Sequence, residues 1–131
     1  MKCLIADDDL MSRFMLKEIL NPPFNCDIAA NGEEAIIAFS VSHDRKYPYK
    51  LICLDIEMPD CNGHDALFQI RQIEKQLGVP PDLEVKVIMI TALDDIKSVF
   101  ESFNNGASSY IVKPFDRNKI MGELRTLGLI A

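Results

Sequence analysis

Apolar residues fall in short runs that alternate with amphipathic stretches along the whole chain. Lys2 to Ala6 reads as a strand, and from about Asp9 to Leu20 Met11, Phe14, Met15 and Ile19 recur at helical spacing, predicting an inward stripe. Asn21-Pro22-Pro23 ends that helix, because proline cannot continue it. Cys26 to Ala30 predicts a second strand, and Asn31-Gly32 turns the chain into a helix from Glu33 to about Ser42, with Ile36 and Phe39 inward. After a polar connector, Leu51 to Leu54 is a continuous apolar run, as expected of a strand buried on both faces. The same alternation predicts a third helix from Gly63 to Leu77, carrying Leu67, Ile70 and Ile73, and a fourth strand from Val85 to Ile90. A fourth helix follows from Asp94 to Asn105, with Ile96, Val99, Phe100 and Phe103 inward and Gly106 as its cap. Ser109 to Val112 predicts the fifth strand, and Asp116 caps a last helix through about Leu127 that carries Ile120 and Leu124.

Five strand–helix units in strict alternation imply an α/β fold: a five-stranded parallel sheet, doubly wound, with helices on both faces. The 131 residues fit one domain, read here as 1–131. The net charge of −6 argues against a nucleic-acid-binding face and against a polybasic membrane anchor. Met1 to Ala6 is too short for a signal-peptide core, and no apolar run is long enough to span a bilayer, so a cytoplasmic location is expected. Cys3, Cys26, Cys53 and Cys61 match no zinc spacing; the first three lie in apolar runs and read as reduced core thiols. His43 and His64 are expected to face solvent.

In open α/β sheets ligands bind beyond the carboxyl ends of the strands. Strand one ends in Asp7-Asp8-Asp9, strand three in Asp55 and strand four in Thr91, while Lys113-Pro114 follows strand five. Asp9 is free to cap the next helix. Carboxylates gathered there repel: at ~4 Å and an effective dielectric near 20, each pair costs ~4 kcal/mol. Lys113 supplies one positive charge and leaves a negative surplus. Oxygen ligands with no histidine suit a hard divalent cation, Mg²⁺ above all.

The chain resembles receiver domains of the two-component response-regulator family, with their CheY-like (βα)5 fold of the flavodoxin-like kind. The segments that carry the resemblance are Leu4-Ile5-Ala6-Asp7-Asp8-Asp9, Asp55-Ile56-Glu57-Met58-Pro59-Asp60-Cys61-Asn62-Gly63, Ile90-Thr91-Ala92, Gly106-Ala107 and Tyr110-Ile111-Val112-Lys113-Pro114-Phe115. The resemblance implies that Asp55 accepts a phosphoryl group from a sensor histidine kinase or a histidine phosphotransfer protein. It implies that Asp7 and Asp8, with Asp55 and the backbone carbonyl of Glu57, hold Mg²⁺, for which Mn²⁺ can substitute. Thr91 and Lys113 then match the groups that take the phosphoryl oxygens, and Thr91 and Tyr110 the residues that switch. The Lys113–Pro114 bond is expected to be cis. The surface of the fourth helix, fifth strand and fifth helix is the expected reading face for a downstream protein or a second copy, with no direct nucleic-acid or membrane contact. Such a domain is a signalling phosphoacceptor rather than an enzyme, with only Mg²⁺-dependent self-phosphorylation and self-dephosphorylation.

Three departures from the family pattern stand out. Glu57 adds a carboxylate two residues past Asp55, which bears on metal affinity and on the approach of hydrolytic water. Asn62 replaces the more usual Asp. The stretch from Arg71 to Glu84, which contains Glu74-Lys75-Gln76 and Pro80-Pro81, is longer than the family pattern, predicts an extended third helix and a longer loop, and reads as a neutral surface insertion. Only Gly128 to Ala131 follow the last helix, which fits both a stand-alone receiver acting by protein–protein contact and the N-terminal receiver of a larger protein. A haloacid-dehalogenase-like phosphohydrolase is the alternative, since Asp7-Asp8-Asp9 contains its Asp-x-Asp spacing. Its nucleophile, however, follows strand one, and its second strand ends in Ser or Thr, where this chain has Ala29-Ala30. A flavodoxin-like cofactor binder needs a phosphate loop after strand one, where three aspartates repel phosphate.

Overall fold

The structure, a computed structural model, describes residues 1–91 and 96–131, without the side chains of Ile96 and Ser98. The expectations for Ala92, for a helix start at Asp94 and for an inward Ile96 lie outside the described residues. Five strands, β1 (Lys2–Ala6), β2 (Asn25–Ala29), β3 (Leu51–Asp55), β4 (Lys86–Thr91) and β5 (Ser109–Val112), form one parallel sheet in the order β2-β1-β3-β4-β5. The helices α1 (Leu10–Leu20), α2 (Gly32–Asp44), α3 (Gly63–Leu77), α4 (Ile96–Asn104) and α5 (Arg117–Thr126) connect them, with a short 3-10 turn at Pro81–Leu83 before β4. All five residues of β3 are buried, as its unbroken apolar run predicts for a central strand.

Alternate residues of the strands feed two cores. Leu4, Ile52, Leu54, Val87 and Met89 pack with Phe39, Leu67 and Ile70 of α2 and α3. Cys3, Ile5, Leu51, Cys53, Ile88 and Ile90 pack on the other side with Leu16 and Leu20 of α1 and Ile120 and Leu124 of α5. Local chemistry fixes the helix ends. Side chains of Asp9, Asn31, Asn62 and Asp116 each accept a hydrogen bond from a backbone N–H in the first turn of α1, α2, α3 and α5. Gly78 ends α3 in the left-handed conformation at φ 71°.

Two helix faces differ from the periodicity reading. In α1 the buried positions are Ser12, Leu16 and Leu20, with Ile19 half-buried, while Met11, Phe14 and Met15 are exposed. Both stripes have helical spacing. The Asp9 cap, joined to the Ser12 hydroxyl at 2.9 Å, satisfies that serine and lets the Leu16–Leu20 side face the sheet. In α4, Phe100 is 66% exposed and Phe103 44%, with Val99 half-buried.

Arg71 and Glu74 also depart from expectation. Glu74 is 1% exposed and lies on the buried side of α3, not on its surface. Its carboxylate accepts from the Arg71 guanidinium at 2.6 Å and from the Val85 N–H at 2.8 Å. Arg71 also donates to the carbonyls of Val85 and Gly106, so the pair ties the end of α3 to the start of β4 and the end of α4.

Candidate functional site

β1 and β3 are neighbours whose following helices lie on opposite faces of the sheet, so a crevice opens where their carboxyl ends meet. Asp7 leaves β1 there and Asp55 is the last residue of β3; both are buried, whereas Asp8 is exposed. Oxygens of Asp7, Asp8 and Asp55 lie within 4.8 Å of one another. Lys113, after β5, reaches the cluster from the other side, its Nζ 3.2 Å from Asp7 Oδ2 and 3.3 Å from Asp55 Oδ2. The remaining oxygens are held by backbone: Asp9 N–H donates to Asp7 Oδ1 at 2.9 Å and Glu57 N–H to Asp55 Oδ1 at 3.1 Å.

The charges do not balance. Burial, followed by repulsion from Asp7, raises Asp55 to about 7, against the pull of Lys113. Burial pulls Lys113 down, but Asp55 and Asp7 outweigh it and leave its ammonium held above its usual range. Three carboxylates facing one ammonium fit a small divalent cation: the donors are hard oxygens, and the surplus charge is what such an ion neutralises.

The other expected residues surround this cluster. Thr91 is buried at the end of β4, beside the strand that bears Asp55, with its carbonyl accepting from Lys113 N–H at 2.7 Å. Glu57 has an exposed side chain. Lys113–Pro114 is cis, as expected. Tyr110 is 40% exposed, and its ring meets Phe103 edge-on at 6.1 Å between centroids. Gly63 is required by close approach and not by unusual backbone angles: a Cβ there would lie 2.4 Å from the Asp55 carbonyl oxygen.

His64 corrects the sequence reading. It is only 9% exposed, with Nδ1 3.3 Å from the Ser102 hydroxyl of α4 and Nε2 3.9 Å from Glu101. His64, Leu67, Ile70 and Glu74 share the buried side of α3, and that spacing was the available signal. His43 is half-buried against Phe39.

The model of the family described as response regulator receiver domain matches residues 3–125. The chain belongs to that family. This receiver is 30% identical to the chemotaxis protein CheY of Bacillus subtilis over 120 residues, 92% of this chain and 91% of CheY. It is 30% identical to the response regulator ArlR of Staphylococcus aureus over 124 residues, 95% of this chain and 50% of ArlR. The receiver spans about half the length of several curated regulators it matches. Among solved structures, the CheX–CheY–BeF3–Mg²⁺ complex of Borrelia burgdorferi superposes with a TM-score of 0.84 at 31% identity, covering 99% of this chain and 90% of that one. The receiver is thus a component of two-component signalling, and its fold is the CheY-like doubly wound sheet. The phosphohydrolase alternative finds no support: β2 ends at Ala29 with no hydroxyl residue, and the family match is to receivers. No helix among the described residues is long and apolar enough to cross a membrane.

Proposed function

We propose that residues 1–131 act as one phospho-accepting receiver domain whose acceptor is Asp55. The observation that carries this reading is the buried Asp55 carboxylate held between two further aspartates and the Lys113 ammonium. The donor is a phosphohistidine on a sensor histidine kinase or a histidine phosphotransfer protein, which implies a cytoplasmic setting. An Asp55 oxygen attacks phosphorus, the P–N bond breaks, and the imidazole leaves and takes a proton. Burial among fixed groups positions the nucleophile, and Lys113 offers charge to the incoming phosphoryl oxygens without reorganisation. Asp7, Asp8, Asp55 and the Glu57 carbonyl would hold Mg²⁺, or Mn²⁺ in its place. The bound ion supplies neutralisation of the charge that builds on the phosphoryl oxygens.

The product is a switch and not a turnover enzyme. Its only chemistry is Mg²⁺-dependent self-phosphorylation from small donors and slow hydrolysis of the acyl phosphate. The Thr91 hydroxyl donates to a phosphoryl oxygen, and the exposed Tyr110 ring moves inward from its contact with Phe103. The α4-β5-α5 surface then changes, and a downstream protein or a second copy reads it. A groove of about 390 Å³ lies on that surface, lined in part by Phe103, Tyr110, Lys119 and Glu123.

Incubation with acetyl phosphate and Mg²⁺, read by intact mass, tests the acceptor. One phosphoryl group is expected on the native chain and none on Asp55→Asn. Labelling that survives in Asp55→Asn would exclude Asp55. Phosphotransfer from labelled histidine kinases of the host tests the donor, and sustained turnover of a phosphate monoester would overturn the switch reading.

A further inference from the structure

Cys3 in β1 and Cys26 in β2 are directly opposed in the parallel register, and both thiols lie on the face of the sheet covered by α1 and α5. Cys3 is fully buried, whereas Cys26 is half-buried on the edge strand. Neighbouring strands lie about 4.8 Å apart, inside the window of roughly 4.4–6.8 Å that a disulfide requires between Cα atoms. Cys53 also adjoins Cys3, but the register sets it two residues further along, opposite Ile5. With about 3.3 Å of rise per residue the Cys3–Cys53 separation comes to roughly 8 Å, outside the window.

We propose that Cys26 and Cys3 form a peroxide-reactive thiol pair, a modification site independent of Asp55, in which Cys26 is the attacking thiol and Cys3 the resolving one. Thiolate character orders the cysteines the same way. A hydrogen bond with Cys3 lowers Cys26 against the effect of burial, Lys17 of α1 adds to the lowering, and Asp27 opposes it. Burial pushes Cys3 far up. Burial, with Asp65 and Glu33 beside it, pushes Cys61 up. A partly exposed thiolate next to a resolving thiol is the arrangement that redox-sensing cysteines share.

The Cys26 thiolate attacks one oxygen of hydrogen peroxide, the O–O bond breaks, and hydroxide leaves and takes a proton as water. Cys26 is oxidised to the sulfenic acid. Cys3 sulfur then attacks Cys26 sulfur, the S–O bond breaks, and the hydroxyl leaves as water with the Cys3 proton. The product is a disulfide between adjacent parallel strands, which a dithiol reductant cleaves as it is itself oxidised.

Trypsin leaves Cys3 and Cys26 on separate peptides and Cys53 with Cys61 on a third, so mapping without reduction separates a Cys3–Cys26 link from any link to Cys53 or Cys61. The full chain is treated with hydrogen peroxide and alkylated after unfolding. A Cys3–Cys26 cross-linked peptide is expected, lost with dithiothreitol, absent in Cys26→Ser and retained in Cys61→Ser. A link to the third peptide, or oxidation of Cys26 to sulfinic acid with Cys3 still free, overturns the proposal. Iodoacetamide applied to the untreated native chain gives a second readout that no variant has to fold for. Cys26 is expected to react roughly tenfold faster than Cys61, and a faster Cys61 overturns the assignment.

Discussion

Asp55 holds its proton to about pH 7 because burial and Asp7 together outweigh Lys113. In the unfolded chain the same carboxyl ionises near its ordinary value of about 3.9. Between those values the folded state binds the extra proton, so the contribution of Asp55 to stability is greatest below the ordinary carboxylate range and is lost as pH rises toward 7. The expected result in metal-free buffer is a urea midpoint that declines across that window, with a shallower decline in Asp55→Asn; an equal slope in both would remove Asp55 as the cause. At the same scale, Gly63 leaves no room for a Cβ beside the Asp55 carbonyl. Gly63→Ala is expected to cost about 1–3 kcal/mol through forced backbone shifts. Its phosphorylation by acetyl phosphate is expected to slow as well, because the shifted backbone is that of the acceptor.

The elements divide into those whose role the residue pattern discloses and those where two patterns compete. In α1 the Met11–Phe14–Met15 stripe and the Ser12–Leu16–Leu20 stripe have the same period, and only the second faces the sheet. Leu16→Ala is expected to cost about 2–5 kcal/mol and Met11→Ala under roughly 0.5 kcal/mol in denaturant unfolding; the reverse order would show the helix rotated about its axis. Glu74 of α3 carries a second expectation. Glu74→Ala leaves Arg71 without its carboxylate partner and the Val85 N–H without its acceptor, which costs about 3–5 kcal/mol for a broken buried pair. The parallel alternation of strands and helices, the caps at Asp9 and Asp116, and the meeting of Asp7, Asp8, Asp55 and Lys113 were legible in the sequence, since alternation and strand ends are properties of the pattern itself; the order β2-β1-β3-β4-β5 came from the structure. The helix faces were less so, because a short helix with apolar residues on two sides presents two candidate stripes. Glu74 and His64 were misread for another reason. A polar residue on a buried face is tolerated only by its partners, here Arg71 and Ser102, which lie on other turns or other helices.

Across the whole molecule, one rim of carboxylates sets conditions for the sheet beneath it. Asp7 and Asp55 end the adjacent central strands β1 and β3, and Lys113 joins them from beyond β5, so the rim is fastened to both layers of core. A cation that binds only the folded rim stabilises the fold by mass action, by about 2.7 kcal/mol at a hundredfold excess over its dissociation constant. Protons compete for the same oxygens. At pH 5 Asp55 is protonated and offers the ion a neutral carboxylic acid; at pH 8 it offers a full charge beside Asp7 and Asp8. The thermal midpoint is therefore expected to rise with Mg²⁺ at pH 8 and to respond little at pH 5. Metal-free and Mg²⁺-saturated stabilities then diverge above about pH 7, because added charge on the rim destabilises the first and strengthens ligand binding in the second. Asp55→Asn is expected to lose most of that divergence while keeping the fold. A magnesium shift of equal size at both pH values, or one unchanged in Asp55→Asn, would move the ion away from this rim.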